Sequence, residues 1–590
     1  MRQLRTVLPY IRPYLPIYAG GLCLTLASNG LRILGPQFLS RGIDALENKA
    51  PFGQVQKAVV LLIAVALVAG IGRYWMRKLL NSVSREVEYD LRNALYLHLQ
   101  RLPAEFYDRS TIGDLMARST NDLQNVRMVA GPALMYLVDT ISMTLLALPF
   151  MLAISPKLTL LSLLPLVALP PVMVFFGQTI HRRTTAIQAQ FSTLSDFVHE
   201  NLSGVRIVRA YRQERSEIEH FEKLNQDYVG LNISLAKAYG AFQPIMGLMG
   251  GLGGLVVLLV GGNMVLKGTV SAGEFIAFGV YLVTLIWPMI ALGWVVNLFQ
   301  RGAASMGRIN QLMQEIPAVA TPATPVPLPL DGHGRTAARR VTFERVWFQY
   351  PNARDRGWVL QDISFEVPAS HSLAIVGPTG AGKSTLVDLL VRTYDPDRGR
   401  ILLDGIDIRE LDLAELRQQI GFVPQETFLF SDTLKENILF GSPDDGRLAD
   451  AIETAQLTGT LSELPTGAET MLGERGINLS GGQKQRAAIA RALAKSPPVF
   501  VLDDALSAVD AQTETRILRS LRDALAGRTS IIVSHRLAAV READWILVLD
   551  AGAIVEQGTH RDLVAMNGRY WQLLSRQQLE AELETETAEI

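Results

Sequence analysis

The sequence is poor in cysteine, in net charge and, before about residue 300, in charged side chains over long stretches. Its one cysteine, Cys23, excludes an intrachain disulfide bond and gives no information about the redox compartment. The formal net charge of −1 at pH 7 lacks the basic excess of nucleic-acid-binding proteins, so we expect no nucleic-acid partner. Hydrophobic residues make up 48% and charged residues 19% of the 590 positions, which is apolar for a soluble protein of this length. The composition therefore indicates more than one domain, the first of them unusually apolar.

Long apolar stretches in the first half predict a membrane domain, since a helix needs roughly 20 mostly apolar residues to cross a bilayer. We predict six spans, at about 16–41, 55–78, 130–154, 157–180, 240–266 and 274–299. Basic residues concentrate in the long charged segments at about 79–128 and 181–237, so we expect those segments and both termini to be cytoplasmic. Their helical patterns predict extensions of the spans into the cytoplasm, with short transverse helices near 111–122 and 209–220.

Two ionisable residues lie inside predicted spans, Arg32 in the first and Asp139 in the third. A charge inside the membrane commonly faces a cavity or a functional partner. The alternatives are a structural pair or, for the arginine, a side chain that extends to the membrane boundary. The sequence leaves these interpretations open for both residues.

The strongest motif is the stretch at 377–385, which reads G-P-T-G-A-G-K-S-T. An apolar run precedes it and an apolar helical run follows it, and this strand–loop–helix context is typical of a phosphate-binding loop. Glycines in such a loop permit a tight turn that directs backbone N–H groups at phosphate oxygens, and the following helix presents its positive end to the same anion. We predict that this loop binds a nucleoside triphosphate and Mg²⁺ through Gly377, Thr379, Gly380, Gly382, Lys383, Ser384 and Thr385. Within that set, the lysine reaches the β- and γ-phosphates and the serine hydroxyl ligates Mg²⁺.

Further candidate site residues lie at the ends of predicted strands. The apolar run 499–503 ends in Asp503, which fits the acid that anchors Mg²⁺, usually through water. Asp504 follows at the position of a base that orients the attacking water. Another strand ends at His535, within reach of a γ-phosphate, because ligands of such sheets bind at the carboxyl ends of strands. Upstream, Tyr350 ends a strand and is a candidate for stacking on the nucleotide base.

Taken together with three further segments, these motifs resemble those of the ATP-binding cassette (ABC) exporters. The segments are V-P-Q at 423–425, G-E-R-G at 473–476 and L-S-G-G-Q at 479–483. Over essentially its whole length the chain resembles a half-transporter of the multidrug-resistance type. The resemblance implies a membrane all-α domain of six helices with long cytoplasmic extensions, fused to an α/β phosphate-loop nucleotide-binding domain. We expect a transmembrane domain at 1–315, a linker at 316–340, an ATP-binding domain at 341–578 and an acidic C-terminal tail at 579–590.

The resemblance also implies roles for individual residues. Gln425 is expected to sense Mg²⁺ and the γ-phosphate and to couple the cassette to the transverse helices. The signature residues are expected to contact ATP held on the phosphate loop of a second half-transporter, and they are Ser480, Gly481, Gly482 and Gln483. Two cassettes would thus enclose two ATP molecules, so the chain is expected to act as a dimer.

One departure from the family pattern concerns the base, which is usually Glu and is Asp504 here. A side chain shorter by one methylene group displaces the carboxylate by about 1 Å, a shift that costs about 10²-fold in rate. A substituted base beside an intact signature resembles one subunit of the heterodimeric bacterial exporters, whose partner carries Glu and an altered signature. An active homodimer that tolerates the aspartate is the alternative.

We therefore expect a multi-pass protein of the cytoplasmic membrane that exports amphipathic small molecules, with ATP hydrolysis slow at its own loop. The alternatives left open are a lipid flippase or peptide exporter of the same fold, and a regulatory subunit with weak hydrolysis. Substrate identity depends on the geometry of the transport cavity, which the fold does not specify.

Overall fold

The computed structural model describes residues 2–329, 338–442, 446–536 and 540–588. The chain forms two compact units. The helical unit comprises residues 1–100 and 113–315, and the α/β unit comprises residues 101–112 and 316–590. The helices of the first 315 residues are α1 (Leu8–Ile11), α2 (Leu15–Glu47), α3 (Phe52–Leu99), α4 (Ala104–Arg109), α5 (Ile112–Ala117), α6 (Leu123–Met128), α7 (Leu134–Ile154), α8 (Pro156–Val167), α9 (Leu169–Ser203), α10 (Val205–Ala210), α11 (Glu214–Val256), α12 (Gly262–Leu266) and α13 (Ala272–Met313).

Among the described residues, five helical stretches are long and apolar enough to cross a membrane: Arg2–Glu47, Phe52–Leu99, Ile112–Ile154, Glu214–Leu266 and Ala272–Met313. They contain five of the six predicted spans. The remaining span, 157–180, is divided between α8 and α9 at Ala168. Prolines at 170 and 171 lack the backbone N–H that would continue the hydrogen-bond ladder across this point. The sixth span therefore stays a prediction.

The ends of α2 and α13 are joined by polar contacts that fix where α13 begins. Ser271 and Glu274 form a reciprocal capping box at its first turn. The carboxylate of Asp44, near the end of α2, accepts hydrogen bonds from Gly273 N at 2.9 Å and from Ser271 Oγ at 3.1 Å. Farther along α13, the buried Tyr281 donates a hydrogen bond to the carbonyl oxygen of Ile33 in α2. These contacts pair polar groups of the neighbouring helices α2 and α13.

Asp139 has a local partner inside the helical unit. Its Oδ1 accepts a hydrogen bond from Asn29 Nδ2 at 2.9 Å, and the same amide group lies 2.8 Å from Ser142 Oγ. Asn29 and Ser142 are buried. This network favours the structural interpretation of Asp139, with Asn29 as the partner.

Two short helices lie upstream of the positions predicted for the transverse helices. The first is α4 at Ala104–Arg109, because Pro103 sets an extended backbone immediately before it and residues 112–154 run on as continuous helix. The second is α10 at Val205–Ala210, because Arg212 adopts a left-handed conformation with φ +53° and ends the turn before α11. Helix α4 clusters with the α/β unit, although it directly follows α3 in sequence.

The α/β unit contains two sheets. Its strands are β1 (Val341–Phe348), β2 (Leu360–Val367), β3 (Ser372–Val376), β4 (Arg398–Leu403), β5 (Ile406–Asp407), β6 (Ile420–Val423), β7 (Val499–Asp503), β8 (Thr529–Val533), β9 (Trp545–Asp550) and β10 (Ala553–Gly558). A four-stranded sheet has the order β2-β1-β4-β5, and a six-stranded sheet has the order β10-β9-β3-β8-β7-β6. In the larger sheet, β9, β3, β8, β7 and β6 run parallel and β10 is antiparallel to β9. The carboxyl ends of the parallel strands therefore meet at one edge, which is where such sheets bind ligands.

The α/β unit contains further helices in addition to α4. They are α14 (Lys383–Leu390), α15 (Leu413–Gln419), α16 (Leu434–Ile438), α17 (Leu448–Thr454), α18 (Thr458–Glu463), α19 (Gly481–Ala494), α20 (Ala511–Ala524), α21 (His560–Ala565) and α22 (Arg569–Ala588). Strands β3 and β7 are almost entirely buried, which explains their continuous apolar sequence. Side-chain caps begin several helices, including Asp412 at α15 and Asp510 at α20.

The expected linker packs on the α/β unit in its described part. Val326 N donates a hydrogen bond to the carbonyl oxygen of Glu410, and Leu328 is buried in the core of that unit. Residues 330–337, in the rest of the linker, lie outside the described residues. The expected acidic tail continues α22 as far as Ala588, and its last two positions also lie outside the description.

Candidate functional site

The phosphate loop connects β3 to α14 as the motif predicts. Gly382 occupies the N-cap of α14 with φ +97°, a left-handed conformation that disfavours a side chain. A Cβ atom there would lie 3.0 Å from the carbonyl oxygen of Val359. Lys383 Nζ donates hydrogen bonds to the carbonyl oxygens of Gly377 and Pro378, at 2.9 and 2.8 Å. The side chain of Lys383 thus folds back along the backbone of the phosphate loop that precedes it.

Asp503, the last residue of β7, contacts the serine that follows the lysine of the phosphate loop. Ser384 Oγ donates a hydrogen bond to Asp503 Oδ1 at 3.1 Å. Burial raises the pKa of Asp503, while the hydrogen bond from Ser384 and the charge of Lys383 lower it. A hydroxyl and a carboxylate oxygen side by side are the hard oxygen donors that Mg²⁺ prefers, so these residues fit the ion.

Asp504 follows with an unusual backbone conformation. Its φ of +44° is left-handed, a region in which aspartate is several-fold enriched among residues other than glycine. Its N–H donates to the carbonyl oxygen of Val533 at 2.8 Å, which ties the turn after β7 to the end of β8. The residue is buried, with 9% of its surface exposed. The backbone of Asp504 is therefore fixed at the end of β7, and the residue lines the cavity beside the phosphate loop.

His535 lies two residues beyond the end of β8. Burial, followed by the charge of Lys383, lowers the pKa of its imidazole, while Asp504 and Asp503 raise it. The neutral imidazole is therefore favoured at pH 7. A neutral imidazole can donate one hydrogen bond without adding a second cation beside the lysine.

These groups surround one cavity of about 280 Å³. The residues that line it are Tyr350, Val359, Thr379, Gly380, Gly382, Lys383, Ser384, Thr385, Gln425, Asp503, Asp504, Val533 and His535. Sequence reasoning identified every polar residue in this set. It missed the two valines, whose apolar side chains carry no chemical signal. The hydroxyl of Tyr350 lies 2.9 Å from Thr385 Oγ1, so the aromatic candidate borders the same loop.

The signature residues lie elsewhere, since Ser480, Gly481, Gly482 and Gln483 are not among the described residues that line the cavity. Ser480 is the N-cap of α19 and forms a capping box with Gln483. A Cβ atom at Gly482 would lie 2.8 Å from the carbonyl oxygen of Ala508, so the helix packs closely on the loop at 507–510. Gln485, one turn along, accepts from Ala508 N and donates to Ser507 Oγ. The signature is therefore complete as local structure and separate from the cavity.

The loop at 507–510 has a second anchor that the sequence did not reveal. Arg536 donates hydrogen bonds to the carbonyl oxygens of Ser507 and Val509, at 2.9 and 3.1 Å, and forms an ion pair with Glu514. Because Arg536 directly follows His535, the loop beside the signature is tied to the strand end that lines the cavity. The sequence offers no signal for this contact, which joins residues 27 and 29 positions apart.

Comparisons with known proteins agree with the two-part architecture. The family model described as "ABC transporter transmembrane region" matches residues 18–289, and the model described as "ABC transporter" matches residues 360–507. The chain also resembles a solved structure described as a bacterial Atm1-family ABC exporter with ATP bound, with a TM-score of 0.76 and 28% sequence identity. That resemblance covers 95% of this chain and 99% of the solved one.

Curated relatives match along nearly the full length. A probable multidrug resistance ABC transporter ATP-binding/permease protein, YheI of Bacillus subtilis, is 39% identical over 97% of both chains. The multidrug resistance-like ATP-binding protein MdlA of Escherichia coli is 36% identical over 96% of this chain and 95% of its own. An ATP-dependent lipid A-core flippase of Syntrophus aciditrophicus is 32% identical over 96% of this chain and 93% of its own. With both family regions present in order on one polypeptide, the chain belongs to the ABC transporter family, as a multi-pass membrane protein whose fused ATPase domain is coupled to transport.

Proposed function

We propose that the protein exports amphipathic small molecules of the multidrug type across the cytoplasmic membrane, as one half of a heterodimeric transporter. The substrate class is supported by the relatives from Bacillus subtilis and Escherichia coli, both described in terms of multidrug resistance. Assembly with a second half-transporter is supported by one observation above all. A single cavity gathers the phosphate loop, Gln425, both acids and His535, yet the signature of the same chain lies outside the described residues that line it.

In the proposed site, the ring of Tyr350 stacks on the adenine, and the loop backbone with Lys383 holds the phosphates. Ser384, Asp503 and Gln425 would hold Mg²⁺, partly through water. When bound, Mg²⁺ supplies neutralisation of the charge that develops on the phosphoryl oxygens. Asp504 orients the attacking water and accepts its proton, and the neutral His535 donates a hydrogen bond to the γ-phosphate.

A second half-transporter completes this site. Ser480 and Gly481 are exposed at the start of α19, where the helix N-terminus favours negative charge. In the proposed dimer each signature contacts the ATP bound by the other chain's phosphate loop. The α/β unit and both termini are cytoplasmic, and ATP drives closure because it binds the closed pair more tightly than the open pair.

The identity of residue 504 supports unequal sites. Asp504 places its carboxylate one methylene group nearer the backbone than glutamate would, whereas the L-S-G-G-Q sequence is intact. We therefore assign slow hydrolysis to this chain's loop and faster hydrolysis to the partner's loop, completed by this chain's Ser480. The partner is expected to carry Glu at the corresponding position and an altered signature.

The test is the Asp504→Glu variant in the purified heterodimer, with hydrolysis measured separately at each phosphate loop. We expect hydrolysis at this chain's loop to rise by about 10–100-fold, since the longer side chain restores the position of the attacking water. The control is Asp510→Glu, at an exposed helix cap outside the cavity. An unchanged rate at this loop would show that the shorter side chain does not limit hydrolysis.

A second test measures ATP hydrolysis by the purified chain without a partner. Robust hydrolysis by the chain alone would overturn the heterodimer in favour of an active homodimer. A complete lack of turnover, alone and with the partner, would instead indicate a regulatory subunit.

Lipid transport is a second candidate, favoured by the relatives described as lipid A-core flippases, at 32% and 33% identity. Reconstituted protein can be assayed for ATPase stimulation by a cationic drug and, separately, by a phosphorylated glycolipid. Stimulation by the glycolipid alone would favour this candidate over drug export.

A further inference from the structure

Helix α4 is a part of the α/β unit that lies far from the rest of that unit in sequence. It follows α3 after four residues, yet it clusters with the α/β unit. Ala104 packs against the core of that unit, and α4 contacts the helical turn Pro351–Arg356, directly after Tyr350. Helix α4 is therefore the part of the α/β unit that directly succeeds α3 along the chain.

Tyr394 connects α4 to the interior of the α/β unit. Its ring is buried, with 8% of its surface exposed, among the core residues behind the phosphate loop. Its hydroxyl donates a hydrogen bond to the carboxylate of Asp108 in α4. Burial, and then this hydrogen bond, raise the pKa of Tyr394, so the hydroxyl remains a proton donor at any physiological pH.

The same ring contacts the aromatic residue that borders the cavity. Tyr394 and Tyr350 are in edge-to-face contact, with ring centroids 5.5 Å apart and planes at 87°. Phe348 packs against both rings, at 5.6 Å from Tyr394 and 5.1 Å from Tyr350. Tyr350 in turn reaches Thr385 of the phosphate loop at 2.9 Å. A continuous row of contacts therefore runs from Asp108 to the loop.

We propose that Tyr394 is a positioning residue that transmits the position of α4 to the base-binding ring of Tyr350. Close-packed aromatic rings have few alternative arrangements, so a shift of Asp108 that releases the Tyr394 hydroxyl also changes the support of the Tyr350 ring. By thermodynamic reciprocity, a base stacked on Tyr350 stabilises α4 in its docked position. The proposal rests on the proposed function, because it assumes that Tyr350 stacks on the adenine.

The experiment measures equilibrium binding of a fluorescent ATP analogue, and of inorganic tripolyphosphate by competition, to the full-length protein. Tyr394→Phe removes the hydroxyl and keeps the ring, and Asp108→Ala removes the acceptor. We expect each variant to raise the Kd of the ATP analogue about threefold to tenfold. The Kd of tripolyphosphate should stay unchanged, because the base is the part of ATP that contacts Tyr350 in the proposed site and tripolyphosphate has no base. The double variant should be no weaker than either single variant, since both break one contact.

Two further variants separate transmission from general damage to the fold. Asp108→Asn keeps an acceptor oxygen and should restore the wild-type Kd. Tyr570→Phe removes the hydroxyl of another fully buried tyrosine, which contacts His560 in a different core cluster, and should change neither Kd. Amide hydrogen exchange of residues 101–112 supplies the reciprocal measurement. ATP should protect this segment in the wild type and protect it less in Tyr394→Phe.

The outcomes are distinguishable. The proposed transmission would be overturned by any one of three results. These are wild-type Kd values in both Tyr394→Phe and Asp108→Ala, additive effects on the Kd in the double variant, or an equal loss of affinity for tripolyphosphate and for the ATP analogue. If Tyr394→Phe fails to fold, Asp108→Ala still tests the proposal. Asp108 is exposed, so its substitution should leave the fold intact. Tyr350→Leu tests the underlying assumption. Unchanged ATP binding in that variant would refute base stacking itself, whereas weakened binding beside a silent Tyr394→Phe would refute only the transmission.

Discussion

The phosphate-loop edge and the signature segment contrast in how their polar groups are used. At the loop, four strand ends direct polar side chains into one cavity, and Lys383, Asp503 and Asp504 are buried there. At the signature, Ser480 and Gly481 are exposed, and the serine and Gln483 satisfy each other in a capping box. Buried charges are costly unless they serve a ligand or a partner, whereas a capped helix end is stable by itself. The comparison supports the proposed division of the chain into a ligand-binding half and a docking half.

The largest predicted effect is expected when the positive charge of Lys383 is removed from the ligand-binding half. Lys383→Ala should weaken ATP binding at this chain's loop by about 10–100-fold, because a hydrogen bond to a charged group contributes about 1.5–3 kcal/mol. Binding of a fluorescent ATP analogue to the full-length protein measures it. The control is Arg522→Ala, an exposed cation on α20. Wild-type affinity in Lys383→Ala would show that this lysine does not hold the phosphates.

A smaller effect is predicted for the docking half and should appear at the other chain's site. In Gly482→Ala the new Cβ would lie 2.8 Å from the carbonyl oxygen of Ala508, so the signature or its neighbouring loop must shift. We expect hydrolysis at the partner's loop to fall about tenfold, an effect of about 1.4 kcal/mol on the barrier, with ATP affinity at this chain's own loop unchanged. The matched control is Gly459→Ala, a helical glycine with open space around it. A loss of ATP affinity on this chain's own loop would contradict the separation of the halves.

The same contrast explains which parts of the structure could be predicted from the sequence. The phosphate loop, Asp503 and His535 are recognisable because each lies at or just beyond the end of a buried strand, so local pattern and chemistry coincide. Tyr394 and Arg536 could not be recognised, because their roles arise from contacts with residues distant in sequence. Short charged helices such as α4 carry little hydrophobic periodicity, so sequence reasoning placed the first transverse helix several residues too far along. The roles of Tyr394 and Arg536 and the position of α4 therefore depend on tertiary contacts, which local sequence patterns do not show.

A third predicted contrast concerns how the two halves respond to pH. Burial, followed by the carboxylates of Asp503 and Asp108, raises the pKa of Asp388 behind the phosphate loop to about 6. Beside the signature loop, hydrogen bonds from Thr513 lower the pKa of Asp510. Folding therefore favours the protonated form of Asp388 and the ionised form of Asp510. In the window from about pH 4 to pH 6, the unfolded chain binds fewer protons at position 388 than the folded chain, so stability falls as the pH rises.

Asp388→Asn removes this titration from the cavity half. The gain in stability of the variant over the wild type should therefore grow between pH 4.5 and pH 7, by on the order of 1–2 kcal/mol. The thermal midpoint of the nucleotide-free protein in EDTA measures it. In the control, Asp510→Asn, the difference from the wild type should stay constant across the same range, because the lowered folded pKa and the ordinary value both lie below it. A gain for Asp388→Asn that is the same at both pH values would mean that the aspartate titrates normally, and the buried acid would then not distinguish the two halves.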